Sequence, residues 1–257
     1  MSKIIIKNIK GLVQASEETP SLLKGKEMAH LPIISNAFIA MEDHRVIDYG
    51  KMEDWQGITD WRGVEIIDAE GCFVLPSFCD SHTHSVFARP RETEFVDKIK
   101  GLSYQEIAAK GGGILNSARH VQALSEDELF EISLPRVQVL VAGGTGALEI
   151  KSGYGLTLSD ELKMLRVIQR LKAAFDIVIK STFLGAHGIP MEYKGEPDKY
   201  VDLVIEDMLP KVVAEGLADH IDVFCDRGFF TMEQTDRILK AAAVLGLPSK
   251  IHANELG

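Results

Sequence analysis

The sequence predicts an α/β protein in two parts: a small β-rich segment over about residues 1–70, then βα units building a parallel sheet over 71–257. Two observations carry this. Up to residue 70 the apolar residues fall in short runs with turn residues between them and no long helical period. From Gly71 onward, short β-branched or apolar runs alternate with amphipathic stretches, the pattern of strand, crossover helix and parallel strand.

In the first part, strands are expected at Ile4 to Ile9, Ala37 to Met41, Arg45 to Tyr49 and Val64 to Asp68. In the second, five strands are expected: Cys72 to Cys79, Ala147 to Lys151, Ile177 to Leu184, Ile221 to Cys225 and Ser249 to His252. Ser125-Glu126-Asp127-Glu128 and Thr231-Met232-Glu233-Gln234 are capping boxes that start helices. Gly246 and Pro248 stop the second of these. Pro135 and Pro210 lie inside helical patterns, so a kink or break is expected near each.

Composition narrows the function classes. The chain has 257 residues, 46% hydrophobic and 26% charged, which suits a folded globular protein and excludes disordered or collagen-like readings. Its 28 Lys and Arg against 38 Asp and Glu leave a net charge of −10, so neither nucleic acid nor a membrane surface is expected as a partner. Cys72, Cys79 and Cys225 have no metal or redox spacing, and the N-terminus lacks a signal-peptide core. The cytoplasm is the expected location.

In a barrel of βα units, the reacting groups sit where strands end. Asp80-Ser81-His82-Thr83-His84 follows the first expected strand; residues two apart on an extended chain share a face, so His82 and His84 can present two imidazoles to one metal ion. A chance pair among 8 histidines is the alternative. His252 ends the fifth strand and offers a third ligand or, equally, a hydrogen-bonded structural residue, with Glu255 just beyond it. His187 ends the third strand between two glycines, and Tyr154, also between glycines, follows the second as either a site residue or a surface aromatic. Arg89 or Arg91 could clamp a carboxylate, or both could be solvated. Gly111-Gly112-Gly113 lacks the context of a phosphate-binding loop and is read as a flexible loop near the mouth. His220, Asp222 and Asp226 flank the fourth strand; Asp222, Asp226, Glu149 and Lys151 are read as structural, Glu149 and Lys151 pairing across neighbouring strands, although Asp226-Arg227-Gly228 could also reach the mouth.

These residues resemble the metal-dependent amidohydrolases, and more narrowly the imidazolonepropionase family. The resemblance rests on His82-Thr83-His84-Ser85-Val86-Phe87 with Arg91, Ala109-Lys110-Gly111-Gly112-Gly113-Ile114, Glu149-Ile150-Lys151-Ser152-Gly153-Tyr154-Gly155-Leu156, Thr182-Phe183-Leu184-Gly185-Ala186-His187 and Ile251-His252-Ala253-Asn254-Glu255. It implies an amidohydrolase-type (β/α)8 barrel with a small β domain, and hydrolysis of 4-imidazolone-5-propanoate to N-formimidoyl-L-glutamate in histidine breakdown. It implies one divalent metal ion, zinc or iron, held by His82, His84 and His252. Arg91 and Tyr154 would bind the propanoate, His187 the imidazolone ring, and Glu255 would sit beside the reacting carbonyl. Family analogy adds a homodimer. The family's barrel continues through three further strands and an aspartate ligand, so the chain is expected to be a truncated barrel of about five strands. Another cyclic amide or amidine hydrolase, a ring deaminase, and an inactive remnant are the alternative readings.

Overall fold

The computed structural model describes residues 2–16, 20–57, 62–103, 106–107 and 112–255. The chain divides into two compact units, Met1–Ser77 and Phe78–Gly257.

The first unit is one five-stranded sheet. Strand β1 (Lys3–Val13) lies at its centre, antiparallel to β2 (Ile33–Glu42) and parallel to β4 (Val64–Asp68) and β5 (Phe73–Val74). β1 is longer than the apolar run because Asn8, at φ 56°, absorbs a register irregularity between Ile6 and Ile9 and lets the pairing resume. β3 (Arg45–Lys51) returns antiparallel to β2 across Asp43 and His44, both at positive φ, the two-residue turn whose twist matches that of its strands. Ile9, Leu12, Ala37 and Ala69 form the core of this unit.

The second unit holds a parallel sheet in the order β6 (Phe78–Thr83), β7 (Thr145–Lys151), β8 (Val178–Ala186), β9 (His220–Val223). The run expected as one strand from Cys72 to Cys79 is divided: Phe73–Val74 pairs in the first unit, and β6 begins only at Phe78. Pro76 lies between them and has no N–H to give to a ladder. The fifth expected strand is not a continuous ladder. Its residues meet β9 at two isolated parallel bridges, Ile221 with Ser249 and Phe224 with His252, supported by bonds from Lys250 N to Ile221 O and from His252 N to Val223 O.

The crossover helices are α1 (Glu92–Ile99), α2 (Ile114–Gln122), α3 (Glu126–Ala142), α4 (Leu158–Ala174), α5 (Pro197–Leu203), α6 (Leu209–Ala214) and α7 (Met232–Val244). Both capping boxes form at the predicted residues. Thr231→Ala removes the hydroxyl that accepts from Gln234 N and is expected to cost about 1 kcal/mol, read as a lower urea midpoint. Gly246 follows α7 at φ 80°. The expected break at Pro210 occurs: a π turn at Val204–Met208 separates α5 from α6, and the proline sits in the first turn of α6, where its missing N–H costs little. Pro135, by contrast, lies within an unbroken 17-residue α3.

Leu148, Ile150, Phe183, Ile221 and Val223 of the sheet pack with Leu165, Ile168 and Ile238 of the helices. This core places every strand C-terminus at one end of the sheet, where the βα loops meet. Among the described residues, no helix is long and apolar enough to cross a membrane.

Candidate metal centre and active site

β6 ends in a bulge. Asp80 pairs with Leu148 and Thr83 with Ile150, so three steps along β6 match two along β7. A bulge re-aims the side chains it carries, and here it lies beside His82 and His84. Ring nitrogens of His82, His84 and His252, one from each, lie within 4.8 Å of one another. His84 Nε2 and His252 Nε2 are 3.3 Å apart. Burial, reinforced by the nearby rings of His187 and His252, pushes His84 down to about 2, and burial with the Lys151 charge lowers His82. Both are therefore neutral near pH 7, the form that ligates metals. His84 Nδ1 is buried with no hydrogen-bond partner. Three convergent imidazoles and an unpartnered ring nitrogen fit a bound divalent ion.

His252 is held from behind by β9. Its N–H donates to Asp222 Oδ1 at 3.1 Å, and its Nδ1 lies 2.9 Å from Asp222 Oδ2, close without the alignment of a hydrogen bond. Asp222 continues to Lys151 Nζ at 2.8 Å, and Lys151 to Glu149 Oε1 at 2.6 Å. Thr182 Oγ1 donates to the same Glu149 oxygen, and Lys250 Nζ stands 3.3 Å from it. Burial raises Asp222, but the contacts with His252 and Lys151 outweigh it and hold the carboxyl at about 2. The expected pairing of Glu149 with Lys151 is present with a different geometry: both sit on β7, two residues apart on one face, and Lys151 reaches past β8 to Asp222 of β9. Asp222, for which the sequence favours a structural role, lies directly against a candidate ligand.

A cavity of about 470 Å³ opens above the three imidazoles, its wall including Arg91, Tyr154, His187 and Glu255. His187 follows β8, with its ring stacked on His84 at 5.1 Å and 15°. Its Nδ1 lies 2.9 Å from Gly153 O. A carbonyl only accepts, so Nδ1 carries the proton and Nε2 is left unprotonated in the neutral ring. Burial keeps the ring neutral, lowering it to about 3. The Tyr154 ring stands 5.1 Å from His187 and 5.6 Å from His84. Gly153 is at φ 106°, and a Cβ there would meet Leu184 O at 3.0 Å, so the loop carrying Tyr154 needs glycine at that point.

Arg91 stands just before α1 and ion-pairs with Glu94 at 3.5 Å, with its side chain 37% exposed. Arg89 is absent from the wall of the histidine cavity; with Arg91 it lines a neighbouring one of about 590 Å³. Glu255 has an exposed side chain, and its N–H donates to Asp226 Oδ2 at 2.9 Å, so Asp226 holds the loop that carries it. His220 lies at the opposite end of β9 from the site. Ala109, Lys110 and Gly111 are outside the described residues; Gly112 and Gly113 lead into α2. Glu161 of α4, beneath the Gly153–Leu156 loop, is not signalled by any motif.

No family model matches the chain. It is 52% identical over 252 residues to the imidazolonepropionase of Christiangramia forsetii, spanning 98% of this chain and 61% of that protein. It is 49% identical over 251 residues to that of Flavobacterium johnsoniae and 42% identical over 253 residues to that of Clostridium tetani, spanning 98% of this chain and 60% of each relative. The chain thus spans about 60% of the length of the curated relatives it matches. Among solved structures, the 5-methylcytosine deaminase of Klebsiella pneumoniae superposes with a TM-score of 0.65 at 14% identity, covering 98% of this chain and 52% of that one. An atrazine chlorohydrolase of Arthrobacter aurescens complexed with zinc and atraton gives 0.55 at 12%, covering 96% and 52%. These share the fold over the part of each that the chain covers. Over about 60% of their length, the chain is similar in sequence to curated imidazolonepropionases.

Proposed function

We propose that this protein hydrolyses 4-imidazolone-5-propanoate to N-formimidoyl-L-glutamate. The observation that carries the reading is the convergence of His82, His84 and His252 at the floor of a cavity whose wall includes both a guanidinium and a carboxylate.

In this reading His82, His84 and His252 hold one divalent ion, zinc or iron. A divalent ion supplies Lewis acidity, polarising a carbonyl and acidifying water near neutral pH. The chain's own residues do the rest. The Arg91 guanidinium and Tyr154 hydroxyl bind the propanoate, a charge-assisted contact that fixes which ring carbon faces the histidines. His187 presents its unprotonated Nε2 as an acceptor for a ring N–H. Glu255 takes a proton from the attacking water and delivers it to the ring nitrogen as the carbon–nitrogen bond breaks. Asp222 holds His252 in orientation throughout. A cytoplasmic location is supported by three free cysteines, and a homodimer by family analogy alone.

The test is turnover by full-length, metal-loaded protein. Release of formimidoylglutamate is expected; its absence overturns the reading. Arg91→Ala is expected to raise KM by about 10- to 100-fold with a smaller change in kcat, since a carboxylate loses a charged partner. A ring deaminase acting on a substrate without a carboxylate would leave KM unmoved.

A further inference from the structure

Glu161 is a fully buried acid in the first turn of α4, among backbone donors. Its Oε2 accepts from Gly153 N at 3.0 Å, and its Oε1 from Gly155 N at 2.8 Å and Leu156 N at 2.9 Å. Burial pushes its carboxyl up, while the Ser152 hydroxyl and the three amides pull it back down. The two carboxyl oxygens between them accept all three N–H groups. Burying an acid is costly, and hydrogen bonds to its oxygens offset that cost.

What these bonds hold is the loop that furnishes the cavity wall. The carbonyl of Gly153 accepts the His187 Nδ1 proton, and Tyr154 sits between two of the clamped amides. Gly155 is pressed against the same helix start: a Cβ there would lie 2.4 Å from Glu161 N. Leu156 takes φ 57°, a left-handed conformation that a leucine adopts only when its surroundings compel it. On its far side the loop is tied once more, by Gln122 Nε2 to Gly155 O at 2.8 Å.

Resting on the active-site reading above, we propose that Glu161 is a positioning residue for substrate binding: it clamps the Gly153–Leu156 loop so that Tyr154 and the proton-bearing face of His187 are set together. It touches neither substrate nor metal ligand, and acts only through the loop. Glu161→Gln keeps shape and volume but turns an NH2 group toward backbone donors, so one or two of the three bonds are lost.

The experiment uses full-length, metal-loaded protein. Glu161→Gln is expected to raise KM about tenfold while bound metal stays at the parent level, and the His187 Nδ1–H signal in ¹⁵N-imidazole NMR is expected to weaken or shift. KM within twofold of the parent together with an unmoved His187 signal overturns the proposal. Should the parent show no turnover, the proposed function falls, and the NMR signal still decides the clamp. Should the variant fail to fold, hydrogen exchange in the parent decides: slow exchange at Gly153, Gly155 and Leu156 is expected, and rapid exchange at these loop amides overturns the clamp.

Discussion

Replacing Lys151 with methionine is expected to lower the unfolding free energy by about 3–5 kcal/mol, because it strips the cation from a buried pair of carboxylates. Lys151 is 1% exposed and lies within 2.8 Å of both Glu149 and Asp222, themselves almost fully enclosed. Without the ammonium, two anions remain in a low-dielectric interior with Lys250, on the rim, 3.3 Å from Glu149 as the nearest replacement charge. Urea denaturation followed by circular dichroism checks this. Adding Glu149→Gln to the variant removes one stranded charge and is expected to recover part of the loss, since the two sites share one network. A loss under about 1 kcal/mol from the single change would mean that the three side chains are not energetically coupled as their geometry implies.

The second large effect concerns His252. His252→Ala is expected to abolish stoichiometric metal binding, because two imidazoles from one strand end rarely make a catalytic site that needs three protein ligands. Turnover should fall by about a thousandfold or more, the equivalent of the several kcal/mol of charge stabilisation that a divalent ion provides. Elemental analysis of the purified variant is the primary readout, independent of any assay. Retention of one tightly bound ion per chain would remove His252 from the ligand set and leave its contact with Asp222 as a structural one.

Local order was well advertised along the chain. The alternation of strand-type runs with capped helices located β7, β8 and β9 to within a few residues, and both capping boxes form where Ser125 and Thr231 announce them. The extent of β6 was less legible. Cys72 to Cys79 reads as one strand, yet Pro76 divides it, and its two halves pair in different sheets, a choice of partners that the run itself does not announce. The bulge that places three steps of β6 against two of β7 likewise has no sequence signature, because it is a property of the pair.

The site divides in the same way. His82 and His84 declare themselves by a spacing of two, and His187, Tyr154 and Glu255 by their places after strands. That His252 comes within 3.3 Å of His84 could not be read from a separation of 168 residues without presupposing the parallel order of β6 to β9. Glu161 was invisible for a further reason: in one dimension it is an ordinary acid in the first turn of a helix, where the helix dipole welcomes it. Only the fold of the preceding loop turns three amides onto its carboxylate.

By itself, then, the sequence determined the α/β class, the helix starts and the kinds of side chain available at the strand ends, since each depends on residues a few positions apart. The tertiary structure alone decided which imidazoles converge, which buried anion answers Lys151 and which carboxylate clamps the Tyr154 loop. Those contacts join residues up to 168 positions apart, and they exist only once the hydrophobic core has brought the strands into register.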